Sequence, residues 1–411
     1  MKRILFLASF LGAAVWSGAS FSYDTYTTAP VPENAPSVQG AAPIHESSYA
    51  IGSYVEEAEA DKLISGSLVG GWADGFWNEG NNWSLTQAWL TSEKTVDPNR
   101  GGLDLGYRVD ALFGTNILQS EDGLDYKWGV SGDGYGASLF QAYGQLGWGK
   151  LSLKGGKFGT TLGYESVDES TDDFNTHTHM FDHEPTSHTG GLFTYQLTEA
   201  FYLDFGMVSG INNSFSNRRG DSGFLFGAGW QIAENVEVTY AGVLSQVHSI
   251  LGENRAATSY GYYDDLFGVP VGDNNEYLQT VAATIGLSDR LSYAIASNYG
   301  TMSDRATRDP RYGQFGVANY LSYALTDRLT LAARYEYYTQ WLKDAGKQPG
   351  AAGDMEQRCH DVSFGMVYRP IESFFIRPEA RYDWIETGDF KNNATGTEDG
   401  FTGSVSCGFV F

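Results

Sequence analysis

The stretch Leu329-Thr-Leu-Ala-Ala-Arg-Tyr-Glu-Tyr-Tyr-Thr-Gln-Trp341 sorts its side chains by parity. Leu329, Leu331, Ala333, Tyr335, Tyr337 and Trp341 fall in one set, and Arg334, Glu336, Tyr338 and Gln340 in the other. Successive side chains of a strand point to opposite faces, so this pattern reads as a strand with one apolar and one charged face. An Arg on a lipid face at mid-depth costs about 2–4 kcal/mol, so in a membrane the charged face must be turned away from lipid. Just before it, Leu325-Thr-Asp-Arg-Leu329 has the short polar composition of a hairpin turn.

Working outward, the same theme repeats. Leu103, Leu105, Tyr107, Val109 and Phe113 oppose Asp104, Arg108 and Asp110; Phe374, Ile376, Ala380, Tyr382 and Trp384 oppose Arg377, Glu379, Arg381 and Asp383. Further tight turns stand at Leu146-Gly-Trp-Gly-Lys150, Leu197-Thr-Glu-Ala-Phe201, Ile232-Ala-Glu-Asn-Val236, Leu287-Ser-Asp-Arg-Leu291 and Tyr368-Arg-Pro-Ile-Glu-Ser373. Long Asp-, Asn-, Gly- and Ser-rich segments alternate with them. Short turns on one side and long loops on the other are the asymmetry of a transmembrane β-barrel. Counting predicts sixteen antiparallel strands at 63–77, 83–94, 101–114, 137–148, 150–160, 189–198, 200–211, 222–232, 235–248, 276–287, 290–301, 313–325, 328–341, 357–369, 373–386 and 400–411, with fourteen or eighteen left open. The even count returns both barrel ends to the short-turn, periplasmic side. An interior this charged is expected to be wet. A soluble β-sandwich shows the same alternation with the aromatic face as a packed core, and the features of the two chain ends weigh against it.

Lys2 and Arg3, the apolar run Ile4–Trp16 and the small residues Ser17 to Ser22 read as a cleavable export signal over 1–22. Residues 23–62, with Pro30, Pro32, Pro36 and Pro43, read as a periplasmic linker, and 63–411 as the barrel. Beyond the leader no apolar run approaches 18 residues, which excludes a helical membrane protein. Aromatics are 15% of the chain and charged residues only 18%, as suits a wall in which every second side chain meets lipid. The formal charge of −24 argues against nucleic-acid binding and suits cations, or divalent ions bridging anionic lipid headgroups at acidic loops. Cys359 is expected on the lumen face and Cys407 on the lipid face, so no disulfide joins them. In the last strand Phe401, Val405, Cys407, Phe409 and Phe411 share a face, and Phe409 and Phe411 read as the signal recognised by the outer-membrane assembly machinery.

One segment carries a specific resemblance. Gly155-Gly-Lys-Phe-Gly-Thr-Thr-Leu-Gly-Tyr-Glu165, then His177-Thr-His-Met180, Glu184-Pro185 and His188-Thr-Gly190, resembles the OmpL-like family of β-barrel porins. Its motif maps onto Gly163, Tyr164, Glu165, His177, His179, Glu184, Pro185, His188 and Gly190. The acidic run Asp168–Asp173 and Thr178 depart from it. The resemblance implies an outer-membrane porin passing ions and small hydrophilic solutes by passive diffusion, without a cofactor. It also implies a homotrimer as one assembly, and a third loop, 161–188, folded into the barrel.

That loop holds Glu165, Asp168, Glu169, Asp172, Asp173, Asp182 and Glu184 and no Lys or Arg. Together they are expected to form an acidic constriction that favours cations, opposed across the pore by lumen-wall Arg108, Arg334, Arg377 and Arg381. The lumen wall also carries Asp110, Glu336, Glu379 and Asp383. A solvated acidic surface loop is the alternative reading. His177, His179 and His183 are weak candidates for metal binding; their spacing matches no closed zinc pattern, and hydrogen bonding of a folded-in loop to the wall is the favoured reading. Two rival classes remain. One is a non-conducting structural or adhesin barrel; the other is a barrel hydrolase built on Asp182, Ser187 and His188, for which no nucleophile motif is present.

Overall fold

A computed structural model gives the fold. It describes residues 64–75, 83–97, 102–116, 135–212, 215, 220–247, 274–304, 308, 310–343, 355–389 and 394–411. The export signal and the linker read at 1–62 lie outside the described residues.

Sixteen strands run in chain order: β1 (Ser65–Gly75), β2 (Ser84–Lys94), β3 (Leu103–Gly114), β4 (Gly136–Trp148), β5 (Leu151–Gly159), β6 (Ser187–Thr198), β7 (Phe201–Val208), β8 (Ser222–Ala233), β9 (Val236–Val247), β10 (Asn274–Ser288), β11 (Leu291–Asp304), β12 (Pro310–Thr326), β13 (Leu329–Leu342), β14 (Met355–Ile371), β15 (Phe374–Asp389) and β16 (Ala394–Val410). A four-residue helix, α1 (His179–Asp182), lies between β5 and β6. Each strand pairs antiparallel with its sequence neighbours, and β1 pairs with β16 to close the barrel. Gly66 and Phe411 exchange both backbone hydrogen bonds at 3.0 and 2.9 Å. Closure leaves no sheet edge, which a spanning sheet requires because lipid cannot satisfy a free N–H or C=O.

The short turns form for a local reason. Thr198, Ser288 and Thr326 each accept, through the side-chain hydroxyl, the backbone N–H two residues on, at 3.3, 3.3 and 3.2 Å. The recurrent Ser or Thr before the turn pair therefore ties the hairpin, with the same chemistry in three places. The parity assignments hold in three dimensions. On β13, Leu331 and Tyr335 are both 41% exposed to the outside while Arg334 and Glu336 are buried. On β15, Tyr382 is exposed and Arg377, Arg381 and Asp383 are buried. Cys359 lies opposite inward Tyr338 and Cys407 opposite outward Ile376, and both thiols are free.

Two sequence expectations need correction. The last strand begins at Ala394 rather than 400, because it stays paired with β15 up to Asp389. Nor is the interior uniformly wet. Leu192, Leu225, Val243 and Leu278, on the inner faces of β6 to β10, are at most 1% exposed, and form one buried cluster with Leu162, Phe174 and Met180 of the loop joining β5 to β6. Parity assigns a face. It does not say which inward residues the loop covers.

Candidate functional site

The site is the loop of residues 160–186, folded inside the barrel. At its start Gly163 has φ +91°, a conformation few side chains tolerate, and the Glu184 carboxylate sits where a Cβ would project. Glu184 in turn accepts a hydrogen bond from Asn298 of β11 at 2.9 Å, and Gly163 N–H donates to Thr280 of β10 at 3.1 Å. The Tyr164 ring packs 4.5 Å from the ring of Tyr320 on β12. Glu165 gathers four donors: Tyr320 Oη (2.9 Å), Arg334 (3.3 Å), His177 Nδ1 (3.0 Å) and the Thr178 N–H (2.9 Å).

The loop docks on the far wall through both its main chain and its side chains. Thr178 caps α1, its hydroxyl accepting from Phe181 N–H at 3.2 Å, which accounts for this departure from the family motif. Glu336 on β13 accepts the N–H groups of His179 (2.7 Å) and Met180 (2.8 Å), placing a carboxylate at the helix start. Glu379 on β15 accepts from Asn175 N–H, Thr176 N–H and the Thr176 hydroxyl at 2.7, 3.0 and 2.6 Å. Arg377 donates to the carbonyls of Glu169 and Asp172 and to Asn175 Oδ1. Arg334 and Arg381 donate to the carbonyls of Thr176 and His177 respectively. On the other side Gln87 of β2 donates to the Val167 carbonyl (2.9 Å) and accepts the Glu169 N–H (3.0 Å). Glycines make room: a Cβ on Gly316 would strike Met180, and one on Gly365 would meet the Asp173 carbonyl and Phe174.

The expected constriction residues therefore separate. Glu165 and Glu184 are held as described, and Glu169 is bonded to Thr86 and Asn116, each at 2.5 Å. Asp168, Asp172 and Asp173 are half-buried and Asp182 is exposed. Arg377 and Arg381 do not face these acids across a gap but hold the loop by its carbonyls, and Arg334 does the same while also touching Glu165 directly. Arg108 pairs instead with Asp110 (2.9 Å) and Glu93 (3.2 Å) on the wall. The histidines are engaged one by one: His177 with Glu165, His179 with Asp383 (3.3 Å), His183 with the His179 carbonyl, and His188 with Thr160 Oγ1 and the Gly210 carbonyl. Among the described residues no group of three or more His, Cys, Asp or Glu side chains is arranged to hold a metal. His188 spends its ring nitrogens on Thr160 and Gly210, so Asp182, Ser187 and His188 are not brought together as a hydrolytic set. Pro185 is buried in the loop's return, and Gly190 packs against β7 too closely for a side chain. Phe409 and Phe411 are exposed on the outer face.

Within the folded-in loop the titrating groups are displaced. Burial pushes Glu184 up to about 8. Burial acts the same way on Glu165, but Arg334 and His177 outweigh it and hold that carboxyl below its ordinary value. For His177, burial opposes the charge and the Glu165 hydrogen bond overcomes it, raising the imidazole to about 9. Burial also raises Asp168 and Asp182.

A closed sixteen-stranded barrel with short turns on one side and its third loop docked across the lumen defines an outer-membrane barrel of the porin class. The family described as "Putative beta-barrel porin-2, OmpL-like" matches residues 72–411, and the chain belongs to it. Solved structures share the fold. OmpT of Vibrio cholerae, in its trimer form, superposes with TM-score 0.56 at 13% identity over 85% of this chain and 98% of the other. The outer membrane channel DcaP of Acinetobacter baumannii gives 0.56 at 12% over 85% and 96%. OprB of Pseudomonas putida gives 0.51 at 14% over 85% and 94%. No curated protein matches the sequence. The protein is an outer-membrane porin.

Proposed function

We propose that the barrel passes ions and small hydrophilic solutes by passive diffusion, with loop 160–186 as its constriction and with a preference for cations. One observation carries this reading. The loop crosses the lumen with no Lys or Arg of its own, and the wall arginines around it are already engaged by loop carbonyls and wall carboxylates. Asp168, Asp172, Asp173 and Asp182 are the loop acids that still reach solvent, and acid lining a path favours cations. The same acids suit divalent cations as partners, and the outward apolar wall suits membrane lipids. A homotrimer is the assembly carried over from the trimer form of OmpT.

The test is a reversal potential in a potassium chloride gradient, before and after Asp168→Asn, Asp172→Asn and Asp173→Asn together. The wild-type potential should favour potassium, and the triple variant should move clearly toward zero. An unchanged potential overturns the cation assignment while leaving the channel itself intact.

A further inference from the structure

The inner wall is partly covered by the loop, whose Leu162 and Met180 join one apolar cluster with Leu192, Leu225, Val243 and Leu278 of β6 to β10. On β10 to β14, below the loop, it opens into a vestibule of about 690 Å³ at the short-turn end, roofed by Tyr164, Ser170, Thr171 and Asp173. That size falls within the range of ligand sites.

Its chemistry is specific. The wall presents the hydroxyls of Thr284, Ser292, Ser322 and Thr330 from four successive strands, with Ser292 directly opposite Ser322 in the β11–β12 register. Ala294 and Ala324 between them leave space. At the rim, charges come as sequence-adjacent opposites, Asp289 with Arg290 and Asp327 with Arg328, while Arg369 and Glu372 sit at the next turn. Neither sign dominates, so a charged solute finds attraction and repulsion side by side. An apolar solute would strand the hydroxyls. A neutral solute with many hydroxyls meets matching donors and acceptors, and the ring pair Tyr164–Tyr320 at the roof offers a face for C–H packing.

We propose that this vestibule is a subsite for neutral polyhydroxylated solutes of oligosaccharide size, which places the solute path along β10 to β14. The proposal rests on the channel reading, and its test separates the two. Maltotriose would be added to the refolded protein in a planar bilayer and, in parallel, titrated by calorimetry into the protein in detergent. The expected result is a saturable fall in current and a matching heat of binding. Thr284→Val, Ser292→Ala and Thr330→Val together should weaken both by about tenfold or more, while discrete potassium chloride current steps persist. Ser322 is kept, because it also holds Asp173 of the loop. A current that falls only with bulk conductivity, with no heat of binding, overturns the subsite and leaves the channel standing. Binding without any current overturns the channel and keeps the subsite. Saturable block by glycylglycine or inorganic phosphate but not by maltotriose overturns the assignment to neutral solutes.

Discussion

Glu336 on β13 accepts the backbone N–H of His179 at 2.7 Å, joining two residues 157 positions apart and fixing the start of a one-turn helix to the opposite wall. The bond goes to the main chain, as do bonds from the loop to each of Glu379, Arg377, Arg334 and Arg381. The wall thus grips the loop through its backbone as well as its side chains, and Asp168, Asp172, Asp173 and Asp182 stay at least partly exposed.

The first prediction concerns that grip. Glu379→Ala removes three acceptor contacts to Asn175 and Thr176. Hydrogen bonds to a charged group contribute about 1.5–3 kcal/mol each and do not sum, so loosening of the loop by roughly 3 kcal/mol is expected. Protease cleavage between 160 and 186 should accelerate by on the order of a hundredfold, with the barrel's heat resistance in detergent little changed. Unaltered cleavage would contradict the assigned anchoring.

Packing gives a second. Gly316→Ala places a methyl against Met180. Overpacking of this kind costs about 1–3 kcal/mol. The displacement should fall on the loop, because β12 stays fully paired on both sides. Faster amide exchange at His179–Asp182, without faster exchange in β12, is the expected outcome. Pairing Gly316→Ala with Met180→Ala should restore much of the protection.

pH gives a third, and its sign is determined. The folded value of Glu184 is raised by burial, to about 8, above an ordinary carboxyl value of 4.5. Its stabilisation is complete below 4.5 and disappears as pH rises through 8. His177, raised by Glu165 against the effect of burial, contributes fully below 6.5 and loses that contribution as pH rises through about 9. Both act in one direction, so the loop should loosen as the solution becomes alkaline. Exchange protection in 160–186 should fall across this window, and Glu184→Gln should remove the part centred near 8. Protection that rises with pH would contradict the assignment.

How much of this is legible in the sequence depends on range. The barrel is local information: alternation along β13 and β15 and the hydroxyl-tied turns at Ser288 and Thr326 are each visible within a dozen residues. The presence of the acids and arginines is equally legible. Their partners are not. Parity turns Arg377 inward, but only the folded loop reveals that it meets the carbonyls of Glu169 and Asp172 rather than a distant carboxylate. Asn175 and Thr176, central to the docking, leave no pattern, since the amide and hydroxyl they offer are common loop side chains whose partners on β13, β15 and β16 lie more than 150 residues away. Gly316 and Gly365 were a usable hint, as glycines at inward positions of otherwise large-residue strands. Gly163 was flagged by the family motif, and its reason, a left-handed turn beneath Glu184, is structural.

The channel itself is tested most directly by single-channel recording of the refolded full chain in a planar bilayer. Discrete current steps, carried mainly by the cation, are the predicted result. A bilayer that stays electrically silent at either polarity, with the protein shown to be folded and inserted, would contradict it.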